Sequence, residues 1–372
     1  MEGTMEINSI VESNQSGDNV EGYDRLPSDA LGEYPIDNIL IRTQSRTVYD
    51  VLRRIKAGQF ILNPDFQRDF VWEVDKQSKL IESVLMRIPL PVLYLAERED
   101  GMTVVVDGLQ RLTTFYRFHN NEFSLKGLVD PRKNLNGKTF AALHPKFQNR
   151  IEDTNLILYI IDSKVPEQAR LDIFERVNGG VPLSRQQMRN CIYMGKATNW
   201  LKECAQNEIF KKATGDSLDS KTMRDRECIN RFCGFYLLGT NTYDGNMDSF
   251  LAETLKHMNK MTDDELKGLS DIFYQSMENN YLVFGKHAFR KHSNPEQARN
   301  IINVSLFDVY SVFMAKYKKE MIAANADLIH NAFYKTMENQ DFVASITSGT
   351  NDKKRVNTRF SYTENAFKEV LG

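Results

Sequence analysis

The sequence predicts an α+β protein of 372 residues, in which a mixed α/β domain precedes an all-helical domain. Two apolar runs rich in β-branched residues, at 104–106 and 156–161, are typical of buried strands. Apolar positions at helical spacing lie between and before these runs. After residue 165, helical spacing and helix-start signals dominate. We therefore expect a leader at 1–35, a mixed domain at 36–165 and a helical domain at 166–372.

The leader differs from the rest of the chain in charge. Residues 1–35 contain eight acidic side chains and one arginine, whereas the whole chain has a net charge of −2. The remainder is therefore mildly basic, which permits contact with nucleic acid without requiring it. The leader is also poor in apolar residues and is predicted to be disordered, as a solvated tail or as a shield over a basic groove.

Several protein classes are disfavoured by composition. The sequence contains no apolar run long enough to span a membrane and no signal-peptide pattern, so we expect a cytoplasmic protein without membrane contact. Its four cysteines form no CxxC motif and lie far from the termini. This pattern favours buried thiols in a reducing compartment over a disulfide framework or a zinc site.

Each element of the mixed domain has a local signal. Thr47 (or Ser45) is a predicted helix N-cap, and Gly58 ends that helix. Pro64 stops a short strand, and two apolar runs around Asp100–Gly101 predict a hairpin. In chain order, the predicted elements are a strand at 36–41, helices at 48–57 and 75–86 separated by a strand at 60–62, strands at 92–95 and 103–106, a helix at 109–119, an irregular excursion at 120–143 and a central strand at 156–161.

The helical domain is predicted from capping chemistry. Pro166 suits the first position of a helix that ends at the Asn-Gly-Gly sequence 178–180. Two pairs have the spacing of a capping box. They are Ser184 with Gln187, before a helix through Met194, and Thr262 with Glu265. Asn294–Pro295 predicts the start of a long helix that carries apolar residues through Phe313, and a short helix closes the chain.

The most informative stretch joins the strand at 104–106 to the helix at 109–119. Asp107-Gly108 has turn chemistry, so the first N–H groups of the helix face outward. Together with the positive end of the helix dipole, such groups bind anions, most often phosphate. Arg111 lies in the first turn, where the dipole favours an acid, so a bound anion would explain the arginine. A surface ion pair is the alternative.

A second polar cluster lies on the loop after the second predicted strand and consists of Asn63, Gln67 and Arg68. If the two strands are neighbours in a sheet, this cluster and the one around Asp107 converge on one pocket. Arg68 and Arg111 could then hold phosphates, while Asp107 holds Mg²⁺ or positions a water. The glutamines of the two clusters could orient that water or bond a base.

Neither common phosphate-loop motif, GxxxxGK[ST] or GxGxxG, occurs in the sequence. Instead, residues 63–72 resemble the signature P-x-(Y/F)-Q-R-x-x-V-W, and residues 106–114 resemble (I/V)-D-G-Q-Q-R-L-T-T-L. Further agreement lies at 80–91, 174–183 and 355–360. The chain thus resembles the N-terminal domain of GmrSD-type modification-dependent restriction proteins, which has a ParB/sulfiredoxin-like fold. Leu109 departs from the family pattern, which usually has glutamine there.

The resemblance implies NTP binding and hydrolysis with Mg²⁺, and sensing of modified DNA in a restriction or phage-defence setting. The residues expected to act in hydrolysis are Asp107, Gln110 and Arg111, and Asp107 is also the expected metal ligand. The residues expected to bind the nucleotide are Asn63, Gln67, Arg68, Gly108, Thr113 and Thr114.

Many relatives carry an HNH nuclease, but the six histidines of this sequence do not have the arrangement that such a site needs. A separate nuclease chain is therefore an expected partner. His287 and His292 are five residues apart, so on one helix they would not share a face, and we expect them at the surface. DNA contact is expected from basic side chains of the helical domain, namely Arg185, Arg189, Lys353, Lys354, Arg355 and Arg359.

Three functions follow from these residues. The first is an NTP-hydrolysing regulatory or sensor protein of a GmrSD-like system that acts on or with DNA. The second is a ParB-like module that binds nucleotide or DNA without turnover, an interpretation that Leu109 supports. The third is a nuclease. The sequence leaves open which nucleotide is bound, which DNA modification is sensed and whether the chain forms oligomers.

Overall fold

The computed structural model describes residues 20–21, 40–62, 72–129, 133–177 and 183–371. Within these residues, the strands are β1 (Val20–Glu21), β2 (Ile41–Thr47), β3 (Phe60–Ile61), β4 (Leu93–Glu97), β5 (Thr103–Asp107), β6 (Asn155–Ile161) and β7 (Ile302–Asn303). Five of them form a mixed sheet in the order β2-β6-β4-β5-β3. β4 is antiparallel to β5 and parallel to β6, whereas β3 is parallel to β5.

Four helices of the described chain belong to the first half: α1 (Val48–Lys56), α2 (Val74–Leu85), α3 (Leu109–His119) and α4 (Pro145–Glu152). The second half is almost entirely helical. Its helices are α5 (Glu167–Val177), α6 (Arg185–Ile192), α7 (Lys196–Gln206), α8 (Glu208–Thr214), α9 (Arg224–Leu237), α10 (Met247–Lys260), α11 (Asp263–Phe284), α12 (Val304–Met314), α13 (Lys319–Ala324), α14 (Ala326–Glu338), α15 (Gln340–Ser345) and α16 (Lys353–Leu371). The α+β class predicted from the sequence is confirmed.

The two faces of the sheet belong to different hydrophobic cores. Side chains alternate along a strand, so neighbouring residues of β5 point to opposite faces. Val105 packs into the core built with α1 to α4, whereas Val104 and Val106 pack into the core of the helical half. The sheet is therefore covered by helices on both sides, which explains why β5 is an apolar run rather than an alternating one.

Most predicted elements of the first half are present at the expected places. The hairpin forms as β4 and β5, and the helix at 109–119 has the predicted bounds. Thr47 caps α1 by accepting a hydrogen bond from the backbone N–H of Asp50 at 3.2 Å. The predicted helix at 75–86 corresponds to α2, and the predicted central strand to β6, which lies between β2 and β4.

Two elements of the first half differ from the prediction. Strand β2 spans 41–47 and so continues well beyond the predicted end at 41, whereas residues 36–39 of the predicted strand lie outside the described residues. The polar sequence of β2 reflects an edge position with mostly exposed side chains. The helix α4 lies in a polar stretch that gave no helical expectation. It begins at Pro145, and the His144 ring accepts a hydrogen bond from the Lys146 backbone N–H.

The helical half confirms both predicted capping boxes, which start α6 and α11. The long helix predicted from Asn294 is wrong. The helix with that apolar sequence begins only at Val304, because Asn303 caps it by accepting from the Leu306 N–H at 2.9 Å. The Pro295 carbonyl instead pairs with the His287 ring.

Two residues of the leader, Val20 and Glu21, are described by the structure. Val20 and Glu21 form β1, which pairs in parallel with β7, and the Glu21 carboxylate forms an ion pair with Lys291 at 2.5 Å. The expectation of disorder is therefore wrong for these two residues, and the remainder of 1–35 lies outside the described residues. No helix in the described part of the chain combines the length and the apolar character needed to cross a membrane.

Candidate functional site

The turn between β5 and α3 requires glycine at position 108. Gly108 has φ +95°, a region that side chains with a Cβ rarely adopt. A Cβ added there would lie 1.9 Å from Cδ2 of Leu93, which is buried at the start of the neighbouring strand β4. The close approach of β4 therefore requires glycine here and fixes the sharp turn from which α3 begins.

Arg111 links the start of α3 to the segment before β4. Its guanidinium donates to the Pro91 carbonyl, to the Val92 carbonyl at 3.1 Å and to the Asp107 carboxylate at 2.8 Å. The sequence left open a surface ion pair, and the structure shows an ion pair that is partly buried. The same contacts hold a positive charge at the N-terminal end of a helix, beside the N–H groups that lack intrahelical acceptors.

The Asp107–Arg111 pair is partly shielded from solvent. The Arg111 side chain is 14% exposed and the Asp107 side chain 33% exposed. Burial lowers the pKa of Arg111 below its usual value, and the nearby Asp107 charge opposes that shift. Arg111 remains a cation at neutral pH because its unperturbed pKa is far above this range. The pair therefore consists of a mostly buried cation and an adjacent carboxylate that is one-third exposed.

Two buried oxygen atoms on α3 have no hydrogen-bond partner within the described residues. They are Oε1 of Gln110 and Oγ1 of Thr113, which lie three residues apart on one side of the helix. Buried polar atoms without partners are uncommon in folded proteins. We therefore expect a ligand, a water or another part of the chain to form hydrogen bonds with these two atoms. Both residues belong to the predicted nucleotide site.

Thr114 and Leu109 are placed differently. Thr114 is fully buried, and its hydroxyl donates to the Gln110 carbonyl at 2.8 Å within the helix. It supports α3 and does not face a nucleotide, which corrects the prediction for this residue. Leu109 packs against the core built with α1 to α4. The side chain at this position therefore contributes to packing.

The strands that precede the two polar clusters are neighbours. β3 is parallel to β5, with Phe60 opposite Thr103 and Ile61 opposite Val104. Both strands therefore end at the same edge of the sheet, where ligands bind in many α/β proteins. This is the condition under which convergence of the clusters was expected. Asn63, Gln67 and Arg68 themselves lie outside the described residues.

A carboxylate at the start of α3 has the chemistry that Mg²⁺ prefers. Magnesium is commonly held by one or two carboxylates together with phosphate oxygens and waters. Asp107 supplies one such group, and its Oδ2 atom is the one that contacts Arg111. Asp107 could therefore hold Mg²⁺ together with the phosphate oxygens of a nucleotide. Within the described chain, no group of three or more His, Cys, Asp or Glu residues could hold a metal ion.

The structure separates the expected DNA-contact residues into two sets. Arg189 and Arg359 are buried and pair with Asp248 and Asp308, so neither can reach a DNA backbone, which corrects these two predictions. Arg185 is partly exposed but contacts three acidic side chains, those of Asp172, Glu175 and Asp248. Lys353 and Lys354 are exposed and Arg355 is half-buried, all in the first turn of α16.

The histidines expected at the surface form a buried cluster. His287 and His292 are each 4% exposed, and their rings stack with centroids 4.7 Å apart. Nε2 of His292 lies 3.3 Å from Nε2 of His330. The surface prediction is wrong because the two residues lie on a short 3₁₀ turn and a loop and not on one helix.

The comparisons with known proteins agree with the motifs of the first half. The family model described as the GmrSD restriction endonuclease N-terminal domain matches residues 48–194. The match begins with α1, contains the whole turn from β5 to α3 and ends just after α6. No curated protein and no solved structure matched the chain. Residues 48–194 of this chain are therefore similar to the GmrSD restriction endonuclease N-terminal domain.

Proposed function

We propose that the chain binds and hydrolyses a nucleoside triphosphate and serves as a regulatory or sensor component of a GmrSD-like restriction or phage-defence system. The observation that carries the proposal is the Asp107–Arg111 pair on the glycine turn at the start of α3. It combines first-turn N–H groups that lack intrahelical acceptors, a cation and a carboxylate.

In this proposal, the first-turn N–H groups of α3 and the Arg111 guanidinium bind the phosphates. Asp107 holds Mg²⁺ or positions the attacking water. Magnesium, when bound with the nucleotide, neutralises charge that develops on the phosphates. Oε1 of Gln110 and Oγ1 of Thr113 can each accept a hydrogen bond from a water or from a base amino group.

The test is phosphate release by the purified chain with each NTP and Mg²⁺. Asp107→Ala and Arg111→Lys should lower the rate by about 100-fold or more, because electrostatic groups aimed at a transition state contribute at this scale. Arg117→Gln is the matched control, because Arg117 lies in the last turn of the same helix and pairs with Glu122. Equal rates in all four proteins would refute the hydrolysis proposal.

A second candidate is a module that binds nucleotide without turnover. The favouring observation is that three protein oxygens already accept hydrogen bonds from Arg111. A guanidinium with these three acceptors must give up some of them before it can donate to a phosphate in the transition state of hydrolysis. Titration calorimetry that detects nucleotide binding, together with the absence of phosphate release, would favour this candidate over the first.

The expected role with DNA follows from the family match. The matched domain is described as part of a restriction endonuclease, so DNA and a nuclease chain are the proposed partners. Phosphate release should therefore be measured with unmodified DNA, with modified DNA and without DNA. A rate that responds only to modified DNA would support a sensor, whereas one indifferent to all DNA would remove DNA from the proposal.

A further inference from the structure

A groove of about 510 Å³ lies between the C-terminal end of α2 and the helix α4. One side is apolar and includes Val84, Ile88, Pro89 and Leu90. The other side is polar and comes from α4 and the turn after it. Its residues are Lys146, Asn149, Arg150, Asp153, Thr154 and Asn155. Arg87 lines the groove from the end of α2.

Arg87 occupies a position where helices strongly prefer glycine. Its φ is +61°, in the left-handed region, directly after the C-cap residue Met86. The N–H of Arg87 donates to the Val84 carbonyl and that of Ile88 to the Ser83 carbonyl, each at 2.9 Å, which is the hydrogen-bond pattern of a Schellman motif. An arginine in this conformation costs stability relative to glycine.

The charge of the groove is positive. Arg87, Lys146 and Arg150 line it against one acidic residue, Asp153. Nη1 of Arg150 donates to the Leu85 carbonyl at 2.9 Å, which fixes this guanidinium beside the end of α2. Within the described residues, no carboxylate forms an ion pair with any of the three cations. Cations without anionic partners in a concave site favour a bound anion.

The groove is adjacent to the candidate site but separate from it. Leu90 lines the groove, and the next two residues, Pro91 and Val92, accept hydrogen bonds from Arg111. The segment 89–92 thus has the groove on one side and the Asp107–Arg111 pair at its far end. A ligand in the groove would contact the same segment that positions Arg111.

We propose that this groove binds a nucleotide unit, with its phosphate against Arg87, Lys146 and Arg150 and its ring against the apolar wall at Ile88–Leu90. A phosphate matches the excess positive charge, and a planar ring matches the apolar wall opposite. The unit can come from a free nucleotide or from a nucleic acid strand. The proposal does not depend on hydrolysis at Asp107.

The test measures binding of two probes to the full chain, AMP by calorimetry and a labelled oligothymidylate by fluorescence anisotropy. Arg87→Gly should weaken binding by about tenfold or more, since the removal of one charge-assisted hydrogen bond has this effect. The same substitution should raise the denaturation midpoint, because glycine relieves the left-handed backbone. Lys146→Gln should also weaken binding, and Lys126→Gln, outside the groove, should not.

Each outcome of the binding series supports or overturns the proposal. Binding of AMP alone identifies a free nucleotide, and binding of the oligothymidylate alone or of both identifies a nucleic acid strand as a ligand. Failure of the wild-type chain to bind either probe, or wild-type affinity in both Arg87→Gly and Lys146→Gln, would overturn it. Should Arg87→Gly fail to fold, Lys146→Gln decides alone. Repeating the series in Asp107→Ala separates the groove from the hydrolysis site.

Discussion

Arg359 donates to Asp308 across 2.8 Å, and both side chains are completely shielded from solvent. Arg231 pairs with the same carboxylate at 2.6 Å, so one buried acid serves two buried arginines. These contacts join α9, α12 and α16 near the end of the chain. Burial lowers the pKa of Arg359, whereas Asp308 opposes this shift. Arg359, one of the basic residues near the end of the sequence, is therefore part of the protein interior.

Replacing Asp308 by asparagine should lower the free energy of unfolding by about 3–5 kcal/mol. The substitution keeps the size of the side chain but leaves two buried guanidiniums without their counter-charge. Urea denaturation measures the change. Glu364→Gln is the control, because Glu364 and Lys368 form an exposed pair on α16 and should contribute about 0.5 kcal/mol. Equal effects of the two substitutions would contradict the structural role.

Gly108→Ala should destabilise the protein more than Gly58→Ala does. Both glycines have positive φ, but only a Cβ at position 108 would meet a neighbouring side chain, that of Leu93. The control should cost about 1 kcal/mol for backbone strain. The change at 108 should add about 1–3 kcal/mol for overpacking. Denaturation midpoints of the two variants test this. Matching midpoints would show that the Leu93 side chain in β4 moves aside without an energetic cost.

Elements with strong local signals could be predicted from the sequence. The helix α3 has the predicted bounds because a turn dipeptide precedes it and its apolar spacing is regular. Both predicted capping boxes form because their partners are three residues apart, as in Ser184 with Gln187. The sequence left open whether the strands at 60–62 and 103–106 are neighbours, and the sheet pairs β3 with β5.

Features that depend on distant partners could not be predicted. The carbonyls that accept from Arg111 lie 19 and 20 residues before it. Arg189 and Arg359 resemble surface cations in the sequence because their acidic partners lie 59 and 51 residues away. The false helix start at Asn294 has a different cause. Asn294 and Asn303 carry the same capping chemistry, and only the fold selects the second one.

Stability should fall as the pH decreases from about 6.5 to about 4, because of His292. Burial lowers its pKa to about 4, and His287 and His330 add to the shift. The unfolded chain binds a proton near pH 6.5, so over this window it holds more protons than the folded chain. The free energy of unfolding is therefore highest above pH 6.5. It falls by about 3 kcal/mol in total as the pH decreases to about 4.

His292→Phe should reduce this dependence, since phenylalanine keeps the ring stack without a titrating group. His330, whose pKa burial also lowers, remains in the variant and acts in the same direction. The readout is the difference in unfolding free energy between wild type and variant across the pH window. Asp225, whose pKa is raised to about 6 by burial, acts in the opposite direction but is present in both proteins. His257→Gln, at an exposed position, should keep the wild-type slope. A slope unchanged in His292→Phe would contradict the assignment.

DNA binding, if present as proposed, should depend on the first turn of α16. Lys353, Lys354 and Arg355 line two adjoining cavities there, of about 670 and 320 Å³, together with Thr358 and Tyr362. Replacing all three cations by glutamine should weaken duplex binding at low salt. It should also reduce the slope of log affinity against log salt by about 0.9 for each phosphate that the variant no longer neutralises.

Lys368→Gln is the matched control for this prediction, because Lys368 is an exposed cation at the other end of the same helix. Its salt slope should equal that of the wild type. The triple variant should also keep its denaturation midpoint, since the two lysines are exposed and the buried ion pairs below them are untouched. A weaker affinity with an unchanged salt slope would mean that these side chains act without touching phosphates, and the DNA interface would then lie elsewhere.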